Sequence, residues 1–147
     1  MKEQIVSFLT NIQGSLIAQY QSKGLRAFGT FQKELRHTAD ETGGKIYGPG
    51  HAVQMVLGRR PGAMPPIQAI EDWIQAKGLD LSPWAVAKSI ARRGTSIYRG
   101  DREGLDIKES VDKHKDEFTN SLIAEQSMVI RATISLAFKQ SAEALKA

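Results

Sequence analysis

Along residues 3–21 the apolar side chains Ile5, Phe8, Leu9, Ile12, Leu16, Ile17 and Tyr20 recur at steps of three and four, which predicts an amphipathic helix. Ser22-Lys23-Gly24 supplies its stop, and Gly29-Thr30 opens a short second helix to Leu35 with Thr30 as cap. From Leu35 to Thr42 the pattern loosens. Gly43-Gly44 then turns the chain into Lys45-Ile46-Tyr47 and, past Gly48-Pro49-Gly50, into the apolar run from His51 to Leu57. Apolar runs between glycines predict a small antiparallel hairpin or meander within about 29–57.

Gly58-Arg59-Arg60-Pro61-Gly62-Ala63-Met64-Pro65-Pro66 holds two glycines and three prolines in nine residues, and must be a fixed loop because neither a central strand nor a helix interior accepts that text. Pro66 suits the first turn of a helix over 66–77 with Ile67, Ile70, Trp73 and Ile74 on one face. Ser82-Pro83 repeats the start signal for a helix over 83–93, whose stripe of Trp84, Ala87, Ile90 and Ala91 ends at Gly94. Trp73, Trp84, Ile70 and Ile90 are therefore expected in the core. Residues 95–104 read as an exposed loop. Asp106 stands three residues before Glu109, a pattern that resembles a capping box.

From Ile107 to Leu145 no Pro or Gly interrupts the chain. Ile107, Val111, Phe118, Leu122, Val129 and Leu136 repeat at four and seven, and Ile123, Ile130 and Ala137 form a second row. The spacing predicts one long helix over 107–145, roughly 55 Å at 1.5 Å per residue, which is more than a domain of this size needs to cover its own core. Part of its apolar surface is expected to meet another chain. The fold class is α+β, mostly helical, in one domain spanning 1–147.

Apolar residues make up 41% and charged residues 24% of the 147, ordinary values for one folded domain. No apolar run has the length of a membrane span, and Met1-Lys2-Glu3-Gln4 opens no signal-peptide core, so secretion and membrane insertion are not expected. The absence of cysteine excludes disulfides, thiolate zinc sites and a cysteine nucleophile, and favours assembly in the cytoplasm. The net charge of +4 is modest, but its distribution is not even: between Thr42 and Gly100 eight basic residues face three acidic ones. Lys88, Arg92, Arg93 and Arg99 fall on one helix and its exit. Lys88 and Arg92, four apart, share a face, and this ridge fits either a solvated surface or sequence-independent contact with phosphates.

Catalytic patterns are missing. Glu71 and Asp72 are adjacent on a helix and diverge. His37, His51 and His114 lack a second ligand at helical or turn spacing, Asp101, Glu103 and Asp106 do not follow a calcium loop, and the glycines fit neither nucleotide fingerprint. No enzyme, metal or cofactor is expected.

The text from Gly58 to Ile67, then Ile70, Trp73, the Lys77-Gly78 helix end and Ala85-Val86-Ala87-Lys88-Ser89-Ile90-Ala91-Arg92-Arg93-Gly94-Thr95, resembles the tail-completion or neck proteins of tailed bacteriophages. There a strand ends in a Gly-Arg-basic-Pro-Gly-x-Met-Pro-Pro loop, a short helix with a Trp follows, and an Ala-Ile-Ala-basic helix ends in Gly-Thr. The resemblance covers Gly58 to Thr95, is loose over Gln4 to Leu57, and is architectural after Leu105. Two features depart from the pattern: residues 51–57 lack the aromatic and acidic text of that strand, and the C-terminal helix is longer. The resemblance implies a non-enzymatic virion protein at the head-tail junction, in a ring of identical copies around the DNA channel, touching other connector, portal-side or tail proteins. It implies an interface role for Gly58, Arg59, Arg60, Pro61, Gly62, Met64, Pro65 and Pro66, while Lys88, Arg92, Arg93 and Arg99 either face lumen DNA or pair with acidic neighbours. The alternative is a small, sequence-independent nucleic-acid-binding protein using the basic segment 88–102.

Overall fold

The three-four spacing of Ile5, Leu9, Ile12, Leu16 and Tyr20 becomes the buried face of helix α1 (Lys2–Ser22). The computed structural model describes the backbone of residues 1–144. Helix α1 ends in a Schellman arrangement in which the Leu25 amide donates to the Tyr20 carbonyl and the Gly24 amide to the Gln21 carbonyl, both at 3.1 Å. Short helix α2 (Thr30–Glu34) follows, with Gly29 rather than Thr30 in the cap position.

Strands β1 (Arg36–Ala39) and β2 (Gly44–Tyr47) form an antiparallel hairpin, pairing Arg36 with Tyr47 and Ala39 with Gly44. Its turn is held by the Asp40 carboxylate, which accepts from the Thr42 hydroxyl at 2.6 Å and from the Thr42 and Gly43 amides at 2.7 and 3.0 Å. Those bonds keep the Asp40 carboxyl below its ordinary range, so their support is present at neutral pH and is lost as pH falls through the lowered value. The hairpin lies across α1, where Gln13 donates to the Leu35 carbonyl and meets His37 Nδ1, each at 2.8 Å.

The expected second strand at 51–57 is a helix, α3 (Ala52–Leu57), and the hairpin partner lies earlier, in the stretch where the sequence pattern loosens. The physical reason is where the apolar residues fall. In a strand the apolar residues of 52–57 would be divided between two faces, whereas in a helix Ala52, Met55 and Val56 fall on one. Helical spacing also turns Ala52, Met55 and Val56 toward the core and leaves Val53 and Leu57 outside.

Helices α4 (Ile67–Lys77) and α5 (Pro83–Arg93) form a hairpin. Pro66 precedes α4 instead of opening it, and the Ser82 hydroxyl accepts from the Ala85 amide at 3.5 Å as the cap of α5. Trp84 is not a core residue: it is 59% exposed at the start of α5. Its place on the apolar stripe carries no burial because no element covers that end of the helix pair. Trp73, Ile70 and Ile90 are half-buried.

The long helix is continuous from Ile107 to Ala144 as α6; position 145 lies outside the described residues. The Asp106 carboxylate caps it by accepting from the Glu109 amide at 2.8 Å. Helix α6 runs antiparallel to α1. Gln19 grips its start, accepting from the Asp106 amide at 2.7 Å and donating to the buried Ser110 hydroxyl at 3.0 Å. Further along, Ser15 meets His114 Nε2 at 2.8 Å and the rings of Phe8 and Phe118 stack with centroids 4.4 Å apart. The contact ends where Met1 reaches Glu125. Beyond it, residues 126–144 extend α6 by roughly 28 Å at 1.5 Å per residue.

A helix and a strand at 51–57 make opposite demands on Val53 and Met55, which share a face only in a strand. Val53→Asp is expected to leave the urea midpoint unchanged, while Met55→Asp lowers stability by about 2 kcal/mol or more by burying an unpaired charge. Equal losses from the two changes would contradict the helix.

Candidate functional site

The Gly- and Pro-rich loop does not stand off into solvent; it is sewn onto the C-terminal end of α5. The Gly62 amide donates to the Ala91 carbonyl, the Thr95 amide to the Arg59 carbonyl, and the Arg59 amide to the Thr95 hydroxyl, each at 2.9 Å. The approach is close enough to forbid side chains at two points. A Cβ on Gly94 would stand 2.6 Å from the Arg59 carbonyl oxygen and 2.8 Å from the Tyr98 ring, and one on Gly58 would overlap the Tyr98 amide. Both glycines also have positive φ, 75° and 73°. The Arg59 guanidinium donates to the Ala63 carbonyl at 3.0 Å and braces the loop from within.

This stitching gathers residues that the sequence shows as two separate groups. The backbone bonds set the loop segment that carries Arg59 and Arg60 against the end of α5, whose last turn carries Arg92 and Arg93, where cations complement the negative end of the helix dipole. Arg93 donates to the Ser89 hydroxyl at 2.9 Å. Arg99 joins the group but is partly spent, since it pairs with Asp101 at 2.7 Å and donates to the Gly94 carbonyl at 2.8 Å. Of the expected ridge, Lys88, Arg92 and Arg93 are exposed on α5, and Arg99, exposed beyond its end, is engaged by Asp101 and the Gly94 carbonyl. Met64 is exposed and Pro65 buried, so Pro65 anchors the loop while Met64 presents an apolar contact.

A cleft of about 680 Å³ separates the α4–α5 pair from the end of α1 and from α3. Phe28, Met55, Ile70, Trp73 and Ile90 give it apolar walls, while Arg59, Lys77, Arg99 and Arg102 supply cations and no Asp or Glu lines it. At one end Lys77 donates to the Gly24 carbonyl at 2.5 Å, and Arg102 donates to the Lys23 carbonyl. Burial, with a contribution from the Arg102 charge, holds the Lys77 ammonium below the usual lysine range. The sequence gives no sign of this cleft, because its walls come from segments up to about eighty residues apart that carry no shared motif.

The three histidines are dispersed: His114 ties α6 to Ser15, His37 ties the hairpin to Gln13, and His51 is exposed on the cleft rim. Among the described residues no helix is long and apolar enough to cross a membrane. Searches against family models, curated proteins and solved structures found no match to this chain.

The fit between Gly94 and the loop gives a direct check. Gly94→Val forces the Arg59 carbonyl away and strains the backbone by about 1–3 kcal/mol, so tryptic cleavage after Arg59 is expected to quicken roughly tenfold or more while the helical circular dichroism signal persists. Unchanged cleavage would mean that the loop is not held by α5.

Proposed function

We propose that the chain is a structural subunit of a tailed bacteriophage's head-tail junction, a tail-completion or neck protein that works without turnover in a ring of identical copies around the DNA channel. The observation that carries this reading is the far half of α6. Ile123, Met128, Val129, Ile130, Ile134, Leu136 and Phe138 are each more than half exposed, on a helix that has run past the end of α1. A solitary folded chain gains nothing from holding so much apolar surface in water; a subunit of an assembly does.

The resemblance between Gly58 and Thr95 supports the same reading. Those residues fold as one continuous unit, with the loop pinned by backbone hydrogen bonds to α5. A loop fixed before docking loses little entropy when it docks, so Arg59, Arg60 and Met64 are suited to a contact with the next ring or the next copy. The protein is assembled in the host cytoplasm and resides in the virion.

In an infected lysate from a phage whose copy of this gene is stopped early, electron microscopy is expected to show full heads and separate finished tails. Arg59→Glu/Arg60→Glu should give a folded chain that fails to join them. Normal infectious particles in either case would refute the junction role.

A second reading has one observation in its favour: backbone bonds hold the segment carrying Arg59 and Arg60 against the helix end that carries Arg92 and Arg93, with Arg99 paired to Asp101 close by in the chain. Such an arrangement suits phosphates of duplex DNA, whether lining a lumen or bound by a free protein. Arg92→Glu/Arg93→Glu is then expected to abolish duplex binding at low salt, and to lower the slope of log affinity against log salt by about 2 where residual binding can be measured with Arg→Gln changes. No wild-type binding at low salt would remove this reading.

A further inference from the structure

The main core and the α4–α5 hairpin are packed separately. The buried cluster of Ile12, Leu16, Tyr20, Phe31, Leu35 and Leu105 includes no residue of α4 or α5. Ile70 and Trp73 lie one turn apart on α4, and Val86 and Ile90 one turn apart on α5. All four are half-buried and line the cleft of about 680 Å³ between the hairpin and the rest of the chain. Its size is that of a pocket for a small ligand or a few side chains.

The charged lining of this cleft is cationic. Lys77 and Arg102 meet at the end of α1, where they donate to the Gly24 and Lys23 carbonyls, and Arg59 donates to the Ala63 carbonyl. A carbonyl accepts a hydrogen bond without cancelling the charge. Among the described residues none of these three cations has a carboxylate within ion-pair distance, whereas Lys23 has Glu103 and Arg99 has Asp101. Burial and the Arg102 charge lower the Lys77 pKa, an electrostatic cost that an anion beside the pair would relieve. Tyr20 also lines the cleft and is only 1% exposed, and neither its hydroxyl nor the Trp73 indole nitrogen bonds to another described residue. Such donors ordinarily have a partner when buried.

We propose that the cleft receives an acidic peptide segment of a partner protein, with one bulky apolar side chain seated among Ile70, Trp73 and Ile90 and a carboxylate at each end. The position of the ends follows from the fold. The loop that leads into α4 is bonded to the end of α5, so the two helices run antiparallel. Lys77, in the last turn of α4, therefore lies at the opposite end of the hairpin from Arg59, which is bonded to Thr95 just past α5. The 11 residues of α5 set that separation at about 16 Å at 1.5 Å per residue. An extended chain covers it in about five residues at roughly 3.3 Å each. The segment therefore carries Asp or Glu about four or five positions apart, with Leu, Ile, Phe or Trp between them.

Other anions match this lining less well. A fatty acid is charged at one end and leaves the cations of the other unmatched. A nucleobase sets polar ring atoms against Met55, Ile70 and Ile90, which form no hydrogen bonds with them. A peptide brings backbone carbonyls to the Tyr20 and Trp73 donors as well as carboxylates to the ends. The exposed length of α6 has no part in this contact, which stands or falls apart from the head-tail reading.

Trp73 lines the cleft and Trp84 does not, and the chain has two tryptophans, so Trp84→Phe leaves a single reporter there. Selection of a random dodecapeptide library, displayed on yeast, against the purified full-length chain is expected to enrich sequences of the acidic-apolar-acidic kind. The most enriched peptide, made synthetically, should shift the Trp73 emission. Lys77→Met/Arg102→Gln should weaken its binding roughly tenfold or more, while Lys45→Gln/Lys113→Gln, which removes the same charge outside the cleft, should change it by less than about twofold. Lys77→Arg keeps the charge and should keep the binding, which separates loss of the site from loss of the fold. A selection that enriches no such sequences overturns the proposal, and so does a peptide whose binding survives the Lys77/Arg102 change or leaves the Trp73 emission unmoved. Tighter binding in the cleft by dodecanoate or by a twelve-residue oligothymidylate than by the peptide overturns it in favour of a lipid anion or a single strand. A failed selection, with heads and tails left apart by the stopped gene, would remove the peptide site and leave the junction reading standing.

Discussion

Helix α1 spans 21 residues and α6 spans 38, and the rest of the molecule is arranged around that mismatch. The two pack antiparallel from the Gln19 clip on Asp106 and Ser110, through the Phe8–Phe118 stack, to Met1 beside Glu125. Helix α1 is also the floor for the β-hairpin and, through Tyr20 against Phe31, for α2. One helix thus carries half of the buried apolar residues, and its length decides where its contact with α6 stops. Beyond it α6 keeps an apolar composition with no part of α1 to lie against, so the same contact that stabilises the body creates the surface from which assembly is argued.

A second constraint governs the other end of the molecule. The Arg59–Pro66 loop and α5 approach so closely that Gly58 and Gly94 have no room for a side chain, and the backbone bonds hold two arginine-bearing segments, Arg59-Arg60 and Arg92-Arg93, against each other. Concentrated charge of one sign costs stability unless solvent or a partner compensates it. Arg99 has found Asp101 and the Gly94 carbonyl, and Arg93 has found Ser89, whereas Arg60, Arg92 and Lys88 point to exposed surface. The basic end and the apolar projection are separate features of one chain.

Legibility varied with how local each signal was. The ends of α4, α5 and α6 follow from Gly78, Ser82-Pro83 and Asp106, because caps act within one turn and need no distant partner. At 51–57 the apolar residues fit a strand or a helix by local pattern, and the choice fell to which spacing sets Ala52, Met55 and Val56 together on the core. Trp84 has the spacing of a core residue and is exposed, since periodicity identifies a face but not what covers it. Gln19, a polar residue on α1, gave no sign of its role as the clip on α6. The two groups of arginines were each visible, but that their segments are bonded side by side was not.

What the sequence determined by itself was the helices other than α3, the fixed loop, the excess length of α6 and the uneven charge, all consequences of residue type and spacing along one segment. Only the tertiary structure decided the strand pairing, the seating of the loop on α5, the cationic cleft and the exact residue at which α6 loses its cover. Each of these depends on which distant segments meet, and burial and hydrogen bonding are shared between partners that no single segment specifies.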